Sequence, residues 1–132
     1  MRRVSYQLSS CPTSSNLNLF YIVEIFDWLN TNGYVPTINL LQSPSTLAIY
    51  NLPPHVKDKC REKILQSPYA DSFKFLINLC DRHEFDEELW QKFVIKNHQQ
   101  DVFRGSYLKE AMPEFWKLIE ADYQRVLAAQ NL

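Results

Sequence analysis

Two apolar runs followed by a double proline constrain the fold more than any other feature of this sequence. The runs are Ile38–Leu41 and Leu47–Leu52, and the polar, proline-containing breaker Gln42–Ser45 separates them. Because proline lacks a backbone N–H and has a fixed φ, the second run ends at Pro53-Pro54. The pattern therefore predicts a strand, a turn, a second strand and then a helix.

The size and composition are those of one globular domain. The chain has 132 residues, of which 45% are apolar and 22% charged, which is enough to bury a core. The net charge is −1, and there is no basic run beyond Arg2-Arg3. Because a surface that follows phosphates needs clustered Lys and Arg, the sequence argues against a nucleic-acid partner.

The sequence predicts a cytoplasmic protein without a membrane span or a disulfide framework. Leu17–Leu29, the longest apolar stretch, is too short and too polar to cross a bilayer, and the N-terminus lacks the apolar core of a signal peptide. The three cysteines are widely spaced. Cys60 and Cys80 lie on apolar helical stripes and are expected to be core thiols, whereas Cys11 is expected in a loop.

Residues 1–53 are expected to form a βαβ-like segment. A strand at Val4–Leu8 and a loop at Ser9–Ser15 precede the clearest helix of the sequence. Ser15 or Asn16 could cap the start of this helix, and Gly33 is typical of a helix end. Because the helix lies between two strands, these should be parallel and joined by a right-handed crossover. The buried stripe of the helix is Leu19, Ile22, Val23, Phe26 and Leu29.

Residues 54–132 are expected to form a C-terminal helical region of four or five helices. The first follows Pro53-Pro54, the second follows Ser67-Pro68, and the third is capped by Asp86 and ends before Gly105. A short helix at Tyr107–Ala111 and a long one at Pro113–Ala128 complete the region. The apolar positions of these helices are Val56, Cys60 and Ile64, then Phe73, Leu76, Ile77 and Cys80, then Leu89, Trp90, Phe93 and Val94, and finally Phe115, Leu118, Ile119 and Val126.

The sequence therefore predicts an α-rich α+β domain. A small parallel sheet of two or three strands with one crossover helix would pack against the C-terminal helices in a single compact domain. The alternative is an all-helical bundle in which residues 38–52 form a buried loop.

No group of residues has the spacing of a catalytic or metal site. With only two glycines, Gly33 and Gly105, a glycine-rich phosphate loop is excluded. No two cysteines are close enough for a Cys-x-x-Cys metal site, and the histidines at positions 55, 83 and 98 are far apart. We therefore assign no catalytic, cofactor-binding or metal-binding residue.

Two further features have both a structural and a functional interpretation. Asp101 and Arg104 can pair on one helical face just before Gly105, and the preferred interpretation is a surface ion pair at a helix end. Five aromatic residues could form a binding platform, but core packing explains them better. They are Trp90, Phe93, Phe103, Phe115 and Trp116.

Five short motifs follow one another in order: the helix N-L-N-L-F-Y-I-V-E-I of the βα unit, then I-N-L-L-Q-S-P, L-A-I-Y-N-L-P-P-H-V-K, D-V-F-R-G and M-P-E-F-W. In this order they resemble the C-terminal region of radical S-adenosylmethionine (SAM) proteins of the twitch/SPASM type, found in bacteria and phages. The similarity covers roughly residues 17–120. The positions that match the family, all expected to be structural, are Asn39, Pro44, Leu52, Pro53, Lys57, Asp101, Arg104, Pro113 and Glu114.

The resemblance implies a part of an enzyme that is not catalytic by itself. The family's Cys-x-x-x-Cys-x-x-Cys loop, glycine-rich SAM contact and auxiliary-cluster cysteines have no counterpart in this sequence. An iron–sulfur cluster and SAM would belong to a missing core, and the chain would be the C-terminal portion of a radical SAM oxidoreductase or peptide-modifying enzyme. It would be a fragment, the product of a truncated gene or one half of a split protein. It would contribute packing or substrate docking, with that core or a protein or peptide substrate as its partner. The alternative is a free-standing protein-interaction domain.

The same interpretation predicts self-association. At the end of a partial barrel, the strands Val4–Leu8 and Val35–Leu41 would lack a neighbour, and an unpaired apolar edge invites pairing with another chain. The alternative is that Met1–Ser15 folds across this edge and covers it.

Overall fold

Six α-helices and four short strands make up the part of the chain that the structure, a computed structural model, describes: residues 8–10, 13–41 and 43–131. The predicted α-rich α+β class is confirmed. The strands are β1 (Leu8–Ser10), β2 (Thr13–Ser14), β3 (Tyr34–Pro36) and β4 (Asn39–Leu40). The helices are α1 (Ile22–Thr31), α2 (Pro54–Leu65), α3 (Lys74–Arg82), α4 (Glu87–Arg104), α5 (Leu108–Ala111) and α6 (Pro113–Ala129).

The four strands form one interrupted parallel ribbon. Residues 8–10 lie opposite 34–36, and residues 13–14 lie opposite 39–40. The offset is the same in both pairs, since 34 − 8 and 39 − 13 both equal 26. β1 and β2 therefore belong to one side of the ribbon and β3 and β4 to the other, with α1 as the connection. The predicted parallel pairing is confirmed.

The predicted loop at Ser9–Ser15 is wrong, because β1 and β2 lie within it. Of the predicted strand Val4–Leu8, residues 4–7 lie outside the described residues. The Ser/Thr-rich segment is extended because its backbone pairs with the second side of the ribbon, where the N–H of Leu41 also donates to the carbonyl of Ser14 at 3.0 Å. Backbone pairing decides the conformation of this segment rather than its composition.

The predicted strand at Leu47–Leu52 is also wrong. Ser45–Leu47 is a 3-10 turn, and a further turn follows in which the N–H of Asn51 donates to the carbonyl of Ala48 at 3.0 Å. Ala48 and Ile49 are adjacent and both are buried, so the segment cannot alternate between two faces as a strand does. This run is a buried loop, whereas the first run, Ile38–Leu41, contains β4 as predicted.

The helix between the strands follows the prediction except at its start. A 3-10 turn, Leu19–Tyr21, precedes α1. The N-cap residue of α1 is therefore Tyr21, and neither Ser15 nor Asn16 caps the helix. Its end is as predicted, since Gly33 has a φ of 80° in the left-handed region. Four residues of the predicted stripe are buried and Val23 is half-buried.

The C-terminal helices begin and end close to the predicted residues. α2 begins at Pro54, and the Asp86 side chain caps α4 by accepting a hydrogen bond from the N–H of Leu89 at 3.1 Å. Gly105 follows α4 with a φ of 66°. α3 begins later than predicted, at Lys74, because turns occupy the segment after Pro68.

A single cluster of buried side chains extends from Leu19 to Leu127 and joins the ribbon's helix to the C-terminal helices. Four of the five singled-out aromatics belong to it, which confirms core packing for Trp90, Phe93, Phe115 and Trp116. Phe103 is the exception, with 92% of its surface exposed. Among the helices described, none is long and apolar enough to cross a membrane.

Candidate functional site

A buried carboxylate fixes the corner between α4 and α5. Oδ2 of Asp101 accepts hydrogen bonds from the backbone N–H of Leu108 at 3.0 Å and from Nδ2 of Asn97 at 3.2 Å. Oδ1 accepts from Nη2 of Arg104 at 3.2 Å. Asp101 thus satisfies one N–H of the first turn of α5 from the last turn of α4, across the chain reversal at Gly105.

The predicted contact between Asp101 and Arg104 is present, but it is not a surface ion pair. The guanidinium side chain is 59% exposed, whereas the carboxylate side chain is 8% exposed. The sequence could not show this difference, because Asp101 is buried by residues far along the chain.

The buried amide of Asn97 connects Asp101 to α6. Its Nδ2 also donates to the hydroxyl of Tyr123 at 2.9 Å. Burial raises the pKa of Tyr123; the bond from Asn97 lowers it, and the negative charge of Asp101 raises it. Tyr123 is therefore a neutral phenol at physiological pH, held in place by the amide.

A cavity of about 200 Å³ lies beside this network, between α4, α5 and α6. Its lining includes Asp101, Tyr107, Trp116 and Tyr123. The rings of Trp116 and Tyr123 have centroids 5.0 Å apart and planes inclined by 68°, so they pack edge to face. A concave site that combines apolar and aromatic side chains with polar groups is the usual form of a ligand pocket.

A buried lysine connects α2 to the end of α3. Lys57 is 8% exposed, and its Nζ donates to the backbone carbonyl of His83 at 2.8 Å. Burial lowers the pKa of Lys57. Arg61, one helical turn later, forms an ion pair with Asp81 of α3. Because a cation at a helix C-terminus binds the free carbonyls there, Lys57 stabilises the α2–α3 contact.

Cys60 and Cys80 are buried free thiols in the same α2–α3 contact, which confirms the predicted core position. Burial raises the pKa of Cys60 to about 12 and that of Cys80 to about 11. Both are protonated at neutral pH, and a protonated thiol is a poor nucleophile and metal ligand. Cys11 lies outside the described residues. Within the described ranges, no three His, Cys, Asp or Glu residues form a group that could hold a metal ion.

The three histidines lie in separate places. Nε2 of His55 is 2.9 Å from the carbonyl of Leu118 and so connects α2 to α6. His83 stacks on Tyr50 with ring centroids 3.8 Å apart, at the exposed end of α3. His98 lines the cavity beside Asp101.

Two buried asparagines carry a role that the sequence reasoning missed. Nδ2 of Asn16 donates to the carbonyls of Thr46 and Asn51, both at 3.1 Å. Nδ2 of Asn51 donates to the same Thr46 carbonyl at 2.8 Å and to that of Leu89 at 3.2 Å. Together they connect the end of the ribbon, the buried loop and α4. The available signal was an amide, Asn51, inside an otherwise apolar run.

The structure does not gather the nine family-matching positions into one site. Asp101 and Arg104 bond to each other, and Lys57 bonds to His83. The other six lie on β4 (Asn39), before the 3-10 turn (Pro44), in the buried segment leading into α2 (Leu52 and Pro53) and in the first turn of α6 (Pro113 and Glu114).

Exposed apolar surface lies on and beside β3, with Val35 on one face of the strand and Trp28 on the other. Val35 is 40% exposed and Trp28 of α1 is 60% exposed. The Trp28 ring stacks on Tyr34 with centroids 6.3 Å apart and planes inclined by 15°. This surface and the Asp101 cavity are the two candidate sites.

Comparison of the chain with protein-family models, with curated proteins and with solved structures gives no match. The resemblance to radical SAM proteins stays a prediction. The two candidate sites are therefore interpreted from their own geometry.

Proposed function

We propose that this chain is a non-catalytic docking domain that adds its βαβ unit to the parallel sheet of a partner. The parallel ribbon supports this most strongly, since it is two strands wide throughout the described residues. Parallel strands occur mostly in larger sheets covered on both faces, and an isolated two-stranded sheet is at best marginally stable in water. A partner that adds strands and covers the open face would stabilise the ribbon.

The burial pattern of β3 supports an open second face. Tyr34 and Pro36 are half-buried, whereas Val35 between them is exposed. Side chains alternate between the two faces of a strand, so Val35 points away from the face that Tyr34 and Pro36 share. α1 packs against β3. An exposed valine on the face opposite α1 is a suitable contact for an apolar partner surface.

The partner that fits the sequence is the barrel core of a twitch- or SPASM-type radical SAM enzyme. In this proposal the core holds the iron–sulfur cluster and SAM, while this chain contributes packing or substrate docking. The second candidate, a free-standing interaction domain, is favoured by a different observation. Val102 and Phe103 of α4 are 55% and 92% exposed and would form its contact surface.

Binding in trans distinguishes the two candidates. The chain would be mixed with the barrel core of a twitch-type radical SAM enzyme from which the C-terminal region has been removed, and complex formation followed by sedimentation velocity. Val35→Lys places a charge on the ribbon, and Val102→Lys is the matched control on α4.

We expect the wild type and Val102→Lys to bind the core and Val35→Lys not to bind. If binding is lost in Val102→Lys and kept in Val35→Lys, the contact surface is on α4 and not on the ribbon. A wild-type chain that does not bind the core would overturn the proposal.

A further inference from the structure

The cavity beside Asp101 is large enough for a small molecule. Its volume is about 200 Å³, and residues of α4, α5 and α6 line it. A protein cavity of about 150 Å³ accommodates benzene. A compact ligand slightly larger than benzene therefore fits between these helices.

Three aromatic side chains are among its lining residues. Trp116 and Tyr123 meet at a steep angle, and Tyr107 at the start of α5 is a third aromatic lining residue. The faces of aromatic rings carry partial negative charge and attract cations. Several rings around one space are the arrangement that binds alkylammonium groups.

The charged groups of the lining add to this preference. Two carboxylates, Asp101 and Glu110, and one ammonium, Lys109, line the cavity, so carboxylates outnumber ammonium groups there. Asp101 is the buried one, and water screens a buried charge less than an exposed one. Arg104, its ion-pair partner, is not among the lining residues.

From the aromatic lining and the excess of carboxylates over ammonium groups we propose that this cavity binds small alkylammonium cations. Asp101 and Glu110 supply the carboxylates, that of Asp101 shared with Arg104, and Tyr107, Trp116 and Tyr123 supply the aromatic surface. The site is independent of the ribbon and of the function proposed above.

Choline and its uncharged carbon isostere, dimethylbutanol, test the proposal because they have the same shape and differ in charge. Heteronuclear NMR of the full chain reports on the site through the indole N–H signals of its three tryptophans. We expect choline to shift the Trp116 signal saturably while those of Trp28 and Trp90 stay in place. Sodium chloride at the same concentration controls for ionic strength.

Binding of the isostere should be weaker by about tenfold, the effect of losing the cation–π and carboxylate attraction. Tyr107→Leu should also weaken choline binding, and its effect on folding should be small because the side chain is 43% exposed. Phe103→Leu is the matched control, since Phe103 is a nearby exposed aromatic outside the lining. Equal binding of choline and its isostere, no shift of Trp116, or equal losses in both variants would overturn the proposal.

Discussion

The carboxylate of Asp101 accepts a hydrogen bond from the backbone N–H of Leu108 at 3.0 Å, across the left-handed turn at Gly105. The same carboxylate binds Asn97 of its own helix, and Asn97 binds Tyr123 of α6. One acidic side chain therefore holds three consecutive helices in register. The interpretation of Asp101 as half of a surface ion pair therefore misses its structural role.

Replacing Asp101 should destabilise the protein far more than replacing its ion-pair partner. Asp101→Ala leaves the buried N–H of Leu108 without an acceptor and removes one of the two acceptors of Asn97, and we expect a loss of about 2–4 kcal/mol in the free energy of unfolding. Arg104→Ala removes an exposed partner and should cost less than about 1 kcal/mol. Urea denaturation measures both values. Similar small losses in the two variants would mean that the carboxylate is not what holds this corner.

Gly105→Ala should destabilise through the backbone alone. Gly105 has a φ of 66°, and an added Cβ would meet no atom within 4 Å. The cost is then the left-handed conformation of an L-residue, about 1–2 kcal/mol. Ser106→Ala, the next position, serves as a control for surface substitutions and should change stability little. A Gly105→Ala protein as stable as the wild type would show that residue 105 does not need the left-handed conformation.

The two buried asparagines should act as one unit. Asn16→Ala and Asn51→Ala each remove two hydrogen bonds to backbone carbonyls, and the two amides share the carbonyl of Thr46. We expect each substitution to cost about 1–3 kcal/mol, and the double variant to differ from the sum by at least about 0.5 kcal/mol. A thermodynamic cycle from urea denaturation measures this coupling. Strict additivity would contradict the shared network.

The buried thiols should make stability fall above pH 9. Their ordinary pKa is 9.0, and burial raises it to about 12 for Cys60 and about 11 for Cys80. Above pH 9.0 the unfolded chain loses thiol protons that the folded chain keeps, so folding is disfavoured as pH rises.

The free energy of unfolding should fall by up to about 1.4 kcal/mol per pH unit for each thiol, between pH 9.0 and the pKa of that thiol in the folded protein. Below pH 9.0 the thiols are protonated in both states, so their contribution to the free energy of unfolding does not change with pH. A variant with Cys60→Ala and Cys80→Ala lacks this contribution. The difference between its stability profile and that of the wild type therefore removes the effect of titrating tyrosines and lysines. Parallel profiles for the variant and the wild type would refute the assignment.

The helical half of the fold could be predicted because the residues that end its helices act on their own backbone or their immediate neighbours. Pro54, Asp86, Gly105 and Pro113 set helix ends through their own backbone or side chain, and the structure places helix ends beside each of them. The ribbon was predictable in kind, since a helix between two strands implies parallel pairing.

The parts that sequence could not give depend on distant partners. Leu47–Leu52 has the composition of a strand, but the Asn51 amide binds Leu89, 38 positions away, and the segment folds into turns. The buried Asp101 bonds to Leu108 of α5 and, through Asn97, is connected to Tyr123 of α6, which needs the packed helices. The positions of Asp101 and Lys57 were noted from the sequence, but their burial was not.

Sedimentation of the isolated chain over a concentration series tests most directly whether the ribbon is a docking edge. The account predicts that the wild type self-associates as concentration rises, that Val102→Lys does the same, and that Val35→Lys remains a monomer. Dye binding should show exposed apolar surface on the wild type at low concentration. A wild-type chain that stays monomeric at high concentration and binds no dye would contradict the account.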